Sequence, residues 1–199
     1  MNNTLAPAPA GPPAEDTPGQ VAAPSLIRPV PGFLIQGKTN PKTGIEMPAG
    51  PYELDPDRDL NLSRMVALSR LKPLKNIPHC GLQRISRGPG RFVTAFCVAP
   101  MNLRQAKLKL DQAGYLHADI YELCQLPIKY PETVRLPYDI FALGSLVVDD
   151  PRRKIFAAPF ICGEVSAQQR KLDISLNDGE TEPVSCGDWT TIMLLRLPD

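Results

Sequence analysis

The chain has 199 residues, 43% of them hydrophobic, and a formal net charge of +1. A domain of this size buries enough apolar surface to fold without a metal or disulfide staple. No run of 18 or more apolar residues occurs, which excludes a membrane-spanning helix, and the near-zero total charge by itself points to no class of partner.

Proline is the compositional outlier, with 23 residues, about twice the usual ~5%. Residues 1–25, MNNTLAPAPAGPPAEDTPGQVAAPS, hold almost no large apolar side chain. Such a segment cannot offset its ordering entropy alone, so it reads as disordered or extended. It has no apolar h-region, so it is not a secretory signal. Residues 26–52 keep the prolines but add Leu26, Ile27, Val30, Phe33, Leu34, Ile35 and Ile45. This reads as an extended arm whose anchors, Leu26, Ile27, Val30, Phe33, Leu34 and Ile35, suit a groove or a sheet edge. The other reading is a linker that packs on its own domain. The chain therefore divides into an extended or disordered Pro-rich arm, 1–52, and a single domain, 53–199.

The first helix is expected within residues 59–71, DLNLSRMVALSRL. Asp59 or Asn61 can cap it, Leu62, Met65, Val66 and Leu68 form its apolar stripe, and Pro73 stops it. Residues 82–86 and 91–98, LQRIS and RFVTAFCV, are β-rich runs on either side of RGPG, the pattern of a hairpin with a four-residue loop. Along RFVTAFCV neither alternating face is purely polar, which predicts a central strand. A second helix is expected over residues 102–113, NLRQAKLKLDQA, between an Asn cap and Gly114. Its buried stripe is Leu103, Ala106, Leu110 and Ala113. Residues 115–126 fit a short helix or a strand. From Tyr138 the chain turns β-rich, with four runs separated by hairpin punctuation: DIFALGSLVVDD, KIFAAPFICGEV, RKLDISL and TTIMLLRL. The expected fold class is α+β: short helices followed by an antiparallel sheet or small β-sandwich, preceded by the arm.

Charge is distributed unevenly. Residues 1–59 carry 4 basic and 7 acidic side chains, and residues 111–199 carry 8 basic and 14 acidic. Residues 60–110 carry 10 basic side chains and no Asp or Glu. Acids make up about a tenth of the chain, so a 51-residue window without one is the least random feature of the sequence. Within it, Arg84, Arg87 and Arg91 surround the Gly-Pro-Gly turn, and Arg70, Lys72 and Lys75 follow the first helix. Guanidinium groups pair bidentately with phosphate, and cations gain from counterion release on nucleic acid. The glycines of the turn would let a backbone approach closely and form a small anion nest. These six residues are the candidate site for nucleic acid or an acidic partner. The competing reading pairs them with carboxylates, from residues 111–199 of the same chain or from a neighbouring subunit. Phe92 and Phe96 are more simply core residues than base-stacking ones.

Other constellations carry less. His79-Cys80 invites a Cys/His nucleophile, but sequence neighbours point in different directions and no oxyanion motif follows. Cys80, Cys162 and Cys186 each precede a glycine and, with His79 or His117, would make four zinc ligands. The paired short spacing of structural zinc sites is missing. The five cysteines read as reduced thiols acting as small hydrophobes, in a cytosol-like compartment or a particle assembled there. Asp149, Asp150, Asp173, Asp178, Glu180 and Glu182 fall mostly at turns. No phosphate-binding glycine loop, GxSxG or HExxH occurs, and neither cofactor nor metal is expected. The sequence reads as a non-enzymatic structural subunit of a larger assembly, a virus or phage particle or a ribonucleoprotein. The arm would contact protein subunits and the basic segment nucleic acid or an acidic neighbour. A stand-alone nucleic-acid-binding protein is the alternative, and an enzyme with an unrecognised site the third. The expected location is cytoplasm or virion.

Overall fold

The computed structural model describes residues 34–35, 44, 50–73, 88–97, 101–135, 138–145, 147–150, 155–162, 170–177 and 191–198. Strand β1 (Leu34–Ile35) and β2 (Tyr52–Leu54) precede helix α1 (Leu62–Ser69), β3 (Lys72–Pro73) and β4 (Gly90–Cys97). Then come α2 (Leu103–Gln112), β5 (Leu116–His117) and α3 (Ile120–Lys129), followed by β6 (Asp139–Phe141), β7 (Val147–Asp150), β8 (Ile155–Cys162), β9 (Lys171–Asn177) and β10 (Thr191–Arg196). The fold is α+β. The described strands join one sheet in the order β1-β4-β10-β6-β8-β9-β3, with β2 also on β4, β5 on β10 and β7 on β8.

The sheet departs from the expected antiparallel arrangement. The consecutive pairs β7–β8 and β8–β9 are antiparallel, as their turn signals imply. However, β10 inserts between β4 and β6 and runs parallel to β6, and β3 runs parallel to β9. No second described sheet packs on this one, so the sandwich alternative is replaced by helices on both faces. On one face, Phe92 and Phe96 of β4 and Ile192 and Leu194 of β10 join Met65 and Val66 of α1 and Leu123 of α3. On the other, Val93, Ala95, Met193 and Leu195 join Leu103, Ala106 and Leu110 of α2. Burial on both faces is the physical reason RFVTAFCV and TTIMLLRL read as mostly apolar runs without a polar face.

Strand β4 is central, as expected, and its described partners are not local. One edge takes β10 over Phe92–Phe96. The other takes β2 at Gly90–Phe92 and β1 at Phe96 and Cys97. Those pairings occupy both edges of β4 where it leaves the turn. Residues 82–86 lie outside the described residues. The pairing of Leu34 with Cys97 and Ile35 with Phe96 lays this piece of the arm along a sheet edge.

The helices start where side chains satisfy their free N–H groups. Asn61, one of the two expected caps, accepts from Arg64 N, and α1 ends in a left-handed turn at Arg70. Met65 and Val66 are buried as expected, but Leu68 is exposed and Ser69 takes the buried position. Helix α2 follows its expected stripe through Leu103, Ala106 and Leu110, with an Asn102/Gln105 capping box, but Ala113 is exposed. The ambiguous stretch 115–126 is both things: β5, then α3, which an Asp119/Glu122 capping box starts.

Helix α3 also completes β2. Tyr130 Oη accepts from Glu53 N at 3.0 Å and Lys129 Nζ donates to Glu53 O at 3.0 Å. The Gln125 amide accepts from Asp55 N at 2.6 Å and donates to Asp55 O at 2.7 Å. Side chains thus supply the hydrogen bonds that a neighbouring strand would have made.

Close packing around the start of α3 gives a test of the fold. A Cβ at Gly144 would lie 2.6 Å from the carbonyl oxygen of Ala118. That oxygen accepts from Gly144 N at 2.8 Å. Gly144→Ala should therefore cost about 1–3 kcal/mol through forced backbone displacement. Thermal unfolding checks it, and an unchanged Tm would contradict this packing.

Candidate functional site

The six candidate basic residues do not form one patch among the described residues. Arg70 and Lys72 are exposed at the end of α1 and on β3. Lys72 is held there by its N–H, which donates to Arg170 O at 3.0 Å. Arg170 itself is buried and donates to the carbonyls of Tyr138 and Ile161. Arg91 is exposed at the start of β4, five strands away in the sheet order. At the usual spacing between neighbouring strands that is about 24 Å. Lys75, Arg84 and Arg87 lie outside the described residues, as do the arm anchors Leu26, Ile27, Val30 and Phe33.

The Gly-Pro-Gly turn does not stand alone in solvent. It is held by an arginine from the far end of the chain. Arg196 donates from Nη1 to Gly88 O and from Nη2 to Pro89 O, both at 2.9 Å. Its guanidinium lies 5.7 Å from the centroid of the Phe92 ring. A Cβ at Gly90 would sit 2.6 Å from Arg196 Cζ, so glycine is what admits the guanidinium. This close approach is the usual meaning of a glycine inside a strand. The carbonyls of Gly88 and Pro89 are turned toward this buried cation.

Arg196 is only 5% exposed. A buried cation needs compensation, and it comes from the start of α3. Asp119 and Glu122 are buried there, and Arg58 reaches both, with Nη1 2.6 Å from Asp119 Oδ2 and Nη2 2.8 Å from Glu122 Oε1. Arg196 Nη1 lies 4.0 Å from the same Glu122 oxygen. The second Glu122 oxygen accepts from Asp119 N at 2.7 Å. Asp119 Oδ1 in turn accepts from Tyr121 N and Glu122 N. Arg58 also stacks 5.9 Å from the Tyr121 ring, whose hydroxyl donates to Leu60 O. Two guanidinium groups and two carboxyl groups thus meet between β10, α3 and the turn before α1.

Burial, helped by the Asp119 charge, pushes the Glu122 carboxyl up to about 7, against the pull of the Asp119 N–H, Arg58 and Arg196. Because the folded value lies above the ordinary 4.5, the fold keeps a proton that the unfolded chain has released. That contribution to stability is complete below pH 4.5 and is lost as pH rises through about 7.

A groove of about 330 Å³ opens beside the turn, lined by Glu53, Leu54, Asp55, Pro89, Gly90, Arg91 and Lys129. Glu53 stands directly opposite Arg91 in the β2–β4 ladder. On α2, Lys107 pairs with Asp111, which also receives His117 Nε2 at 2.8 Å. Burial pushes the Asp111 carboxyl up, but the hydrogen bonds and charges of Lys107 and His117 overcome it and hold the group below its usual value. His117 is thereby committed to a carboxylate. Cys97 and Cys124 are buried and not in disulfides, with burial pushing Cys124 up to about 12, and Cys162 is half-buried. His79, Cys80 and Cys186 lie outside the described residues. Phe92 and Phe96 are core residues, fully buried.

Arg58, Asp119, Glu122 and Arg196 were not singled out from the sequence. Two signals bear on them: the Asp-Ile-Tyr-Glu capping box, and an arginine inside the apolar run TTIMLLRL, which a two-sided strand must bury. No protein-family model, curated protein or solved structure matches the chain.

Proposed function

We propose that the protein is a non-enzymatic structural subunit of a larger assembly, a virus or phage particle or a ribonucleoprotein. Its N-terminal arm binds neighbouring protein, and its basic segment 60–110 faces nucleic acid or an acidic neighbour, in the cytoplasm or in the particle. One observation carries this reading. Arg64, Lys72 and Arg91 are exposed, while the buried acids Asp119 and Glu122 are engaged by Arg58 and Arg196 from outside the segment. Pairing inside the domain takes Lys107, and Arg91 faces Glu53 across the ladder. The separation of Arg91 from Arg70 and Lys72 suits an extended polyanion or a broad acidic surface better than a small ligand. The strand formed by Leu34 and Ile35 supports an arm that binds along sheet edges.

Filter binding of a single-stranded oligonucleotide across a salt series tests the basic segment. Binding should weaken steeply with salt, and Arg70→Ala/Lys72→Ala/Arg91→Ala together should lower the slope of log K against log salt by about 2–3. Binding that is absent at low salt assigns the segment to an acidic protein neighbour. Sedimentation of the chain with residues 1–50 deleted tests the arm, with circular dichroism to confirm the fold. Unchanged assembly of the deleted chain removes the arm's role. If salt-sensitive binding then persists, the protein is a stand-alone nucleic-acid-binding protein.

A further inference from the structure

Strands β1 and β2 lie on the same edge of β4 and run in the same direction. Ile35 stands opposite Phe96 and Tyr52 opposite Phe92, so the rungs of Val93, Thr94 and Ala95 separate them. One uninterrupted strand would cross that interval with three residues. The chain has residues 36–51 there instead. The register places Ile35 and Tyr52 four strand steps apart, about 14 Å. The 36–51 connection reaches about 56 Å when fully extended. A folded domain of the length of residues 53–199 is about 40 Å across. The β1 segment is thus a ligand of the β4 edge on a tether that can reach farther than the domain is wide.

We propose that in the assembly this strand is exchanged: Leu34–Ile35 of one copy pairs with Phe96–Cys97 of a neighbouring copy, whose own β1 is passed on in turn. The occupant of the edge is a second copy of this chain, and the proposal rests on the arm's role stated above. The ladder contacts are the same in the closed and exchanged forms, because the edge takes the same two residues in the same register. Concentration therefore decides between them. A strand on a flexible tether faces its own edge at about millimolar effective concentration. Subunits packed one domain width apart offer their edges at roughly ten times that concentration. Dilute chains close on themselves, and packed chains exchange. Exchange links each copy to the next without any contact that the single chain lacks.

The register also supplies the probe. Arg91 O accepts from Leu197 N on the β10 side, so Arg91, Val93, Ala95 and Cys97 direct their main-chain groups to β10. Leu34 and Cys97 are therefore a non-hydrogen-bonded pair, with Cα atoms about 4.5 Å apart, within disulfide range. Leu34→Cys is prepared as unlabelled and nitrogen-15 chains, which are mixed unfolded in equal amounts, assembled and oxidised. Mass spectrometry then reads the peptides that join position 34 to Cys97. About half should carry one label of each kind, the random-partner value, and almost none when the same mixture is refolded and oxidised at submicromolar concentration. Linked peptides of a single label only, or none, from the assembly overturn exchange. Sedimentation before oxidation separates this failure from that of the arm's role. Assemblies with unmixed peptides lose the exchange alone, and chains that sediment singly and unmixed refute both. Should Leu34→Cys not fold, solid-state NMR of wild-type assemblies built from carbon-13 and nitrogen-15 chains decides. Cross-peaks between the two labels at Leu34 and Cys97 support exchange, and their absence overturns it.

Discussion

Arg196→Ala should destabilise the fold by about 3–5 kcal/mol, the scale for removing one member of a buried ion cluster. Three losses combine. The carbonyls of Gly88 and Pro89 lose their donors, the Phe92 ring loses its cation, and the buried Glu122 loses one of its two facing guanidinium groups. Arg196→Lys should recover only part of this, because an ammonium cannot present the fork that reaches both carbonyls at 2.9 Å. Urea unfolding checks both variants. A loss below about 1 kcal/mol for Arg196→Ala would show that the turn is held by something else.

Asp119→Ala should cost nearly as much, about 3–4 kcal/mol, through a different mixture. The side chain is fully buried, caps α3 by accepting from Tyr121 N and Glu122 N, and binds Arg58 at 2.6 Å. Alanine leaves those N–H groups open and removes one of the two carboxyl groups facing two arginines. Asp119→Asn separates the contributions. It keeps an acceptor for the cap but removes the charge, so it should be milder in urea unfolding. The Glu122 carboxyl should then titrate lower than in the wild type, because the Asp119 charge is second only to burial in raising it. An unmoved Glu122 titration would place the cause in burial alone.

Much of the fold is legible in the sequence because local signals and packing agree there. Helix α2 shows a cap, a stripe and a terminating glycine in one reading frame, and its buried residues follow. The four late β-rich runs form strands, because alternation and turn residues are local properties. Pairing is not local. Strand β10 lies beside β4, roughly a hundred residues earlier, and nothing in either run names the other. The partners that β4 does take, β1, β2 and β10, all come from distant parts of the chain.

The site was legible only in its surface. Absence of acids across residues 60–110 marks exposed cations, and the described ones are exposed apart from Lys107, which is half-buried against Asp111. Their arrangement was not visible, since Arg70 and Lys72 fall at the opposite end of the sheet from Arg91. The cluster beneath the turn unites residues 58, 119, 122 and 196, whose proximity depends on how α3 crosses the sheet.

The side chains of α3 and its C-cap that bind along β2 and Asp55 bear on how this molecule behaves in a crowd. An unpaired strand edge is a template on which other chains extend a sheet without limit. Tyr130, Lys129 and Gln125 fill that template at Glu53 and Asp55. At the far end of the sheet, β3 presents a lysine and a proline, a charge and a residue with no N–H to offer. Open-ended stacking into fibres is blocked at both places, and a neighbour arriving there meets side chains rather than a bare backbone.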